Sequence, residues 1–415
     1  MVSETVELRG HIIDSLILPK VLDEILTRGA NFKIAQVKIG QKRTDQSFAR
    51  IEVSAESSEA LDDLILRLRQ HGAEVAEKGD AQLAPAPSDG IFPADFYVTT
   101  NQQTFVRIGG KEFEVHAPML DSAIMFDRGQ EIARTVRFAD VRKGMEIVVG
   151  HQGVRVAPRQ RATSRPDIFQ FLNANISAER PKSALIREIA RQFEATRKAK
   201  GKILIVPGAA VVHTGAAEYL ERMIEGGYVD LIISGNAFAV YDIESALFNT
   251  ALGVNLERDA LADGGHENHM RAINLVRAAG GICNAVKNGT LTRGIMRACV
   301  KHKVEFLLTG SVRDDGPLPE VITDSVAAQS AMREKIEGVM LALLMGTMLH
   351  SVAVANLLPA SVKTLVVDIN PAAVAKLTDG QTFQALGLVT DIEPFLRELT
   401  ECLNQLRGAA KTART

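Results

Sequence analysis

Several residues of this chain have the type and the spacing to do chemistry. Residues 339–346, VMLALLMG, read as a strand of apolar residues ending at Gly346, with a helix starting just beyond it. At such a helix start the backbone N–H groups of Thr347, Met348 and Leu349 face outward and suit a pyrophosphate. A second strand follows and ends at Asp368, where a carboxylate accepts both hydroxyls of an adenosine ribose and repels the 2'-phosphate that distinguishes NADP from NAD. Only Gly346 stands where a G-x-G-x-x-G pattern has three glycines, and a buried βαβ unit with no ligand reads the same way.

Other groups are less directional. His266 and His269 in GGHENHMRA fall on one helical face with Glu267 between them, but a metal needs a third ligand and no neighbouring residue supplies one. Substrate binding or helix capping fits them better. His213 in VVHTGAAEY and Asn236 sit just after strands, where they can hold a carboxylate or an amide. Asp314 and Asp315, beside Arg313, have the charge to hold an amine or a ribose, while DDGP is also an ordinary solvated turn. Cys283 lies next to a glycine pair that exposes it, although a lone cysteine usually serves as a small buried apolar residue.

The elements that must position these residues form three groups. The order βαββαβ over residues 1–80 predicts a ferredoxin-like or ACT-like sandwich, a fold suited to dimerisation or domain contact. A Pro-, Ala- and Gly-rich stretch near 80–93 reads as a linker, and residues 95–175 as a small β-rich module whose segment VHAPMLDSAIMFD breaks the strand alternation at Pro118. Residues 180–408 read as a Rossmann-like α/β domain built on a parallel sheet. Its repeated strand–turn–helix units gather polar residues and glycines at the strand ends: Gly208, then Gly235 with Asn236 and Ala237, then Thr309 with Gly310, then Gly346. In an open parallel sheet those ends share one edge, which is where ligands bind.

Composition narrows the choices. Lys and Arg number 48 against 50 Asp and Glu, for a formal charge of −2, so there is no general attraction to nucleic acid or to an anionic membrane. The absence of Trp and an aromatic content of 5% give little material for base stacking. The longest apolar run, 339–348, is shorter than a bilayer span, MVSETVELRG has no signal-peptide pattern, and three unclustered cysteines suit a reducing compartment. A cytoplasmic homo-oligomer acting on a small molecule is expected.

Taken together, the strand ends IVPGAAVVHTGA, LIISGNAFAVYDIESALFNTALGV, FLLTGSVRDDGPLPEVITD, GTMLHSVAVANLLP, VKTLVVDINPAAVAKLTDG and LGLVTDIEPFL closely resemble the archaeal-type ornithine cyclodeaminase family. That family also forms the C-terminal part of bifunctional cyanobacterial arginine dihydrolase and ornithine cyclodeaminase proteins, and carries the lysine-oxoglutarate reductase and saccharopine dehydrogenase conserved region. The N-terminal LRGHIIDSLILPKVLDEI is similar to the family's start, whereas the arginine-hydrolysing module finds no counterpart and that activity is not implied. The resemblance implies NAD-dependent conversion of L-ornithine to L-proline and ammonia, in a fold whose nucleotide-binding part is similar to deoxyhypusine synthase. It further implies NAD contacts at Asn236, Ala237, Thr347, Met348, Leu349, His350, Asp368 and Asp391, to which the strand-end reading adds Thr309, Gly310 and Gly346. The segment DINPAAVAKL also resembles the D-x-P-G-K-T segment of the bacterial enzymes, in which the aspartate is catalytic.

Such a reaction takes a hydride from Cα of ornithine, closes the ring as ammonia leaves, and returns the hydride to the cyclic imine. It needs a base for the α-amine and an acid for the departing ammonia. Asp315 and His266 are the expected catalytic pair, with Arg271 or Arg313 for the substrate carboxylate. Two alternatives share parts of this reading: an amino-acid dehydrogenase that releases NADH, and a non-catalytic sensor of an amino acid and NAD.

Overall fold

The computed structural model describes residues 2–10, 12–13, 16–40, 45, 47–75, 79–120, 122–157, 182–251, 254–255, 260–261, 267–312, 314, 317–378 and 385–412. Two compact units emerge: Met1–Phe171 with Leu358–Ser361, and Leu172–Leu357 with Val362–Thr415. Among the described residues no helix is long and apolar enough to cross a membrane.

The first unit holds two sheets. One is antiparallel throughout, in the order Asn31–Lys38, Ser47–Ala55, Val2–Gly10, Glu74–Val75. The period-two alternation of Ser47–Ala55 turns Ala49, Ile51 and Val53 inward, where they pack with Val21 and Ile25 of helix Ile17–Thr27 and with Leu64 and Leu68 of helix Ser58–Gln70. This is the ferredoxin-like order that the sequence predicts.

The second sheet has seven strands, running Val154–Val156, Thr104–Ile108, Lys111–His116, Ile132–Val136, Ala123–Asp127, Glu146–Val149, Gln82–Pro85. One sequence reading changes here. The stretch read as a linker contributes the edge strand Gln82–Pro85, whose proline sits at the strand's end on the sheet edge, where its missing N–H is tolerated. Within the β-rich module, the stretch FYVTTN at 96–101 adds no strand to the sheet: Phe96 and Val149 form an isolated bridge there.

The second unit is a parallel sheet of seven strands in the order Val321–Ile322, Glu305–Thr309, Leu231–Gly235, Lys202–Pro207, Val339–Met345, Lys363–Asp368, Ala385–Val389. Its central strands are almost entirely buried, as expected when helices cover both faces. Lys182–Lys198, Ala217–Glu225, Ile295–His302 and Ile392–Thr412 pack as one contiguous group of helices, and Ser325–Lys335, Leu349–Leu357 and Pro371–Thr378 as another. From Lys202–Pro207 the chain winds outward through Leu231–Gly235 and Glu305–Thr309. It then returns to the other side of the starting strand at Val339–Met345. The reversal opens a crevice between Lys202–Pro207 and Val339–Met345, at their C-terminal ends.

Candidate active site at the strand ends

The floor of that crevice is main chain. Gly208 follows the strand Lys202–Pro207, and its N–H donates to Met345 O at 2.8 Å. A Cβ on Gly208 would stand 1.9 Å from Gly346 O, so nothing larger than hydrogen fits. Gly346 has φ +63°, the left-handed region that favours glycine, and turns the chain into helix Leu349–Leu357. Val352 N–H donates to Met348 O at 2.9 Å, so the N–H groups of Leu349, His350 and Ser351 lie ahead of the helix's hydrogen-bond ladder. Met348 and Leu349 expose their side chains.

Hydroxyls tie the neighbouring strand ends together. Ser234 Oγ donates to Pro207 O at 2.6 Å and Thr309 Oγ1 to Ser234 O at 3.4 Å. The Thr309 hydroxyl is therefore turned into the sheet, and Gly310 N–H donates to Ile322 O at 2.9 Å, so both residues shape the edge from below. Ser234 went unremarked in the sequence because a serine inside an apolar strand carries no spacing signal.

The loop over these ends is built on Asn236 and Asp314. Asn236 Nδ2 donates to Asp314 Oδ1 at 3.1 Å, and Asn236 Oδ1 accepts Leu318 N–H at 3.1 Å. Asp314 Oδ2 in turn accepts Ser311 N–H at 2.7 Å. The Asn236 carboxamide is thus occupied by the chain itself, while Ala237 is exposed at the helix start beside it. His350 reaches the same place, its Nδ1 lying 3.3 Å from Thr347 Oγ1. Burial holds its pKa below the usual imidazole value, opposed by the charge of Asp314, so the ring is neutral at neutral pH.

On the other side of the crevice Asp368 is the last residue of Lys363–Asp368, half-buried, with Oδ1 accepting Asn370 N–H at 2.8 Å. Asp391 lies two residues past strand Ala385–Val389 on the same edge and is exposed. The structure therefore brings Asn236, Ala237, Thr309, Gly310, Gly346, Thr347, Met348, Leu349, His350, Asp368 and Asp391 to one edge of one sheet.

It does not bring His269 there. Helix Asn236–Phe248 carries the chain about 18 Å away from Asn236. At its far end Asn268 Nδ2 donates to Thr250 Oγ1 at 3.0 Å. Helix Asn268–Ala279 then runs back, and Arg277 Nη1 bonds Pro317 O at 3.1 Å near the loop. His269 and Arg271 stand at the remote end. Arg271 is paired there with Glu267 on the wall of an open cavity of about 600 Å³ that Phe248 and Met270 also line. Arg271 is accordingly not placed to hold a substrate carboxylate at the strand ends of its own chain. Among the described residues no group of three or more His, Cys, Asp or Glu could hold a metal. His266, Arg313 and Asp315 lie outside the described residues. His213 packs on Tyr241 with ring centroids 4.9 Å apart, and Cys283 is exposed.

Comparison with known proteins identifies the family. Residues 187–399 match the arginine dihydrolase ArgZ-like C-terminal Rossmann fold, residues 103–186 its first region, and residues 3–102 the LOR/SDH bifunctional enzyme conserved region. The ornithine cyclodeaminase of Methanopyrus kandleri is 47% identical over 97% of this chain and 98% of its own. The chain belongs to the ArgZ-like ornithine cyclodeaminase family. Within that family, the apo structure of cyanobacterial ArgZ superposes with a TM-score of 0.84 at 34% identity, covering 98% of this chain and 59% of that one. The ternary complex of AgrE with ornithine and NAD+ gives 0.54 at 35% identity, covering 98% and 58%. This ornithine cyclodeaminase family member thus spans nearly all of its archaeal relative and well under two thirds of the cyanobacterial chains.

Proposed function

We propose that this chain is an NAD-dependent ornithine cyclodeaminase, converting L-ornithine to L-proline and ammonia. The observation that carries this reading is the end-to-end match to an archaeal ornithine cyclodeaminase, with every strand end of the expected cofactor edge present in the fold. The residues fit NAD. The side-chain-free contact of Gly208 with Gly346 makes room for a pyrophosphate, the first turn of Leu349–Leu357 aims N–H groups at it, and Asp368 ends the adjacent strand where the ribose hydroxyls would lie.

The cofactor supplies a hydride acceptor and donor in one, which the redox-neutral overall change requires. The chain's own residues do the rest. Asn236 and Asp314 fasten Ser311 and Leu318 beside the strand ends, which fixes the geometry of that wall of the site. His350, neutral and fixed by Thr347, presents an imidazole that can accept a hydrogen bond or a proton. Proton transfer from the α-amine and to the leaving ammonia is assigned to Asp315, and the substrate carboxylate to Arg313; His266 takes no part in the assignment, because its neighbours Glu267 and Asn268 stand at the far end of helix Asn236–Phe248. A cytoplasmic homo-oligomer completes the proposal.

The test is release of proline and ammonia from L-ornithine with and without NAD+, while NADH absorbance is followed. Equal amounts of both products with no accumulating NADH are expected. Steady NADH formation identifies an amino-acid dehydrogenase instead, and tight ornithine binding with no ammonia identifies a sensor.

A further inference from the structure

We propose that Gly235 is a positioning residue for His350: by carrying no side chain it leaves the imidazole a fixed seat across the floor of the crevice. The proposal deepens the reading of that edge as the cofactor and substrate site, and rests on it.

Gly235 is not required by its backbone. It has φ −92° and ψ 164°, pairs in register with Thr309 as the last residue of its strand, and so holds an extended conformation open to any residue. It is required by what fills the place of its side chain. A Cβ there would lie 2.6 Å from Cε1 and 2.8 Å from Nε2 of His350, closer than real side chains approach. The ring is anchored at its other nitrogen, with Nδ1 3.3 Å from Thr347 Oγ1, so it cannot swing clear of a new methyl group and keep that partner.

The strand order makes this contact a bridge. His350 belongs to the βα unit that follows Val339–Met345, and Gly235 ends Leu231–Gly235; the strand Lys202–Pro207 lies between them. The imidazole therefore links the ends of two strands that are not neighbours, across the end of the central strand. Gly208 occupies that end, also without a side chain. A ligand entering the crevice rests on the edge of one imidazole whose height is set by the glycine on the far side.

The experiment is a double-mutant cycle of Gly235→Ala and His350→Ala, read as the NAD+ dissociation constant by calorimetry, as kcat and KM for ornithine, and as Tm. Gly235→Ala alone should weaken NAD+ binding or lower kcat at least tenfold. Added to His350→Ala it should change each quantity by less than twofold, because the methyl acts only through the ring. Independent effects that multiply in the double variant overturn the proposal, as does a Gly235→Ala enzyme within twofold of wild type. If Gly235→Ala does not fold, the double variant decides: recovery of the His350→Ala Tm supports the seat, and failure to recover overturns it. If the wild-type protein binds no NAD+ and turns over no ornithine, the functional reading fails on its own, while coupling of the two substitutions in Tm still reports on the seat.

Discussion

Asn236 is a residue whose role differs from its expected one. The sequence placed it at a strand end and its family resemblance implied a cofactor contact, yet its carboxamide bonds Asp314 and Leu318 N–H in the loop above. Any NAD contact it makes is therefore through its backbone or through the loop it holds. Asn236→Asp replaces the donor facing Asp314 with a second carboxylate oxygen, a loss of about 1–3 kcal/mol in loop stability. NAD+ affinity should fall about tenfold or more with little change in Tm, and limited proteolysis should cut within 310–318; an unchanged digestion pattern counts against the role. Asp368 stands at the opposite wall, and in the proposed function it meets the ribose hydroxyls directly. Asp368→Ala should weaken NAD+ binding by about 1–2 kcal/mol and narrow the preference for NAD+ over NADP+, read by titration with both. At Asp315, alanine should reduce kcat far more than NAD+ affinity, and turnover within about twofold of wild type sinks the catalytic assignment. Residue types at strand ends were legible because strand, glycine and helix start follow one another in the chain. The partners of their side chains were not, since Asn236 and Asp314 are 78 positions apart.

Among the elements, helix Ile295–His302 depends on a cap from outside itself. Its first two N–H groups, of Ile295 and Met296, donate at 2.8 Å to Oδ1 and Oδ2 of Asp242, a residue of helix Asn236–Phe248 that is 1% exposed. Gly294 makes the approach possible, because a Cβ there would lie 2.9 Å from Asp242 Oδ2 and its φ is +101°. Asp242→Ala leaves both donors buried without an acceptor and should cost about 2–4 kcal/mol in urea unfolding. Burial pushes this carboxyl up to about 7 from its ordinary 3.8, against the pull of the two N–H groups. The folded chain thus holds the proton more tightly than the unfolded chain, and the stability the site contributes is full below pH 3.8 and lost as pH rises through about 7. Urea midpoints measured across that range should fall in wild type, and this component should be missing in Asp242→Asn. None of this was readable beforehand, because Asp242 sits in a helical pattern that looks like any other. The βαββαβ order and the repeated βα units were readable, each signalled by a change of apolar period within a short stretch. The edge strand Gln82–Pro85 was missed because its composition is that of a turn.

At the scale of the whole molecule, the parallel sheet does two jobs at once. Burial of its central strands on both faces stabilises the second unit, and its reversal of winding direction opens the crevice at one edge. Oligomeric state belongs to this scale, and light scattering on the purified protein should give a mass that is a multiple of 45.0 kDa. The crevice floor carries one further consequence. Gly208 and Gly346 meet main chain to main chain, with N–H groups donating into the neighbouring strands, so the floor has no rotamers to rearrange when a ligand arrives. Amide hydrogen exchange should therefore separate a static base from a responsive cover: protection at Gly208 and Gly346 already high and unchanged by NAD+, and protection gained on binding confined to Ser311, Asp314 and Leu318.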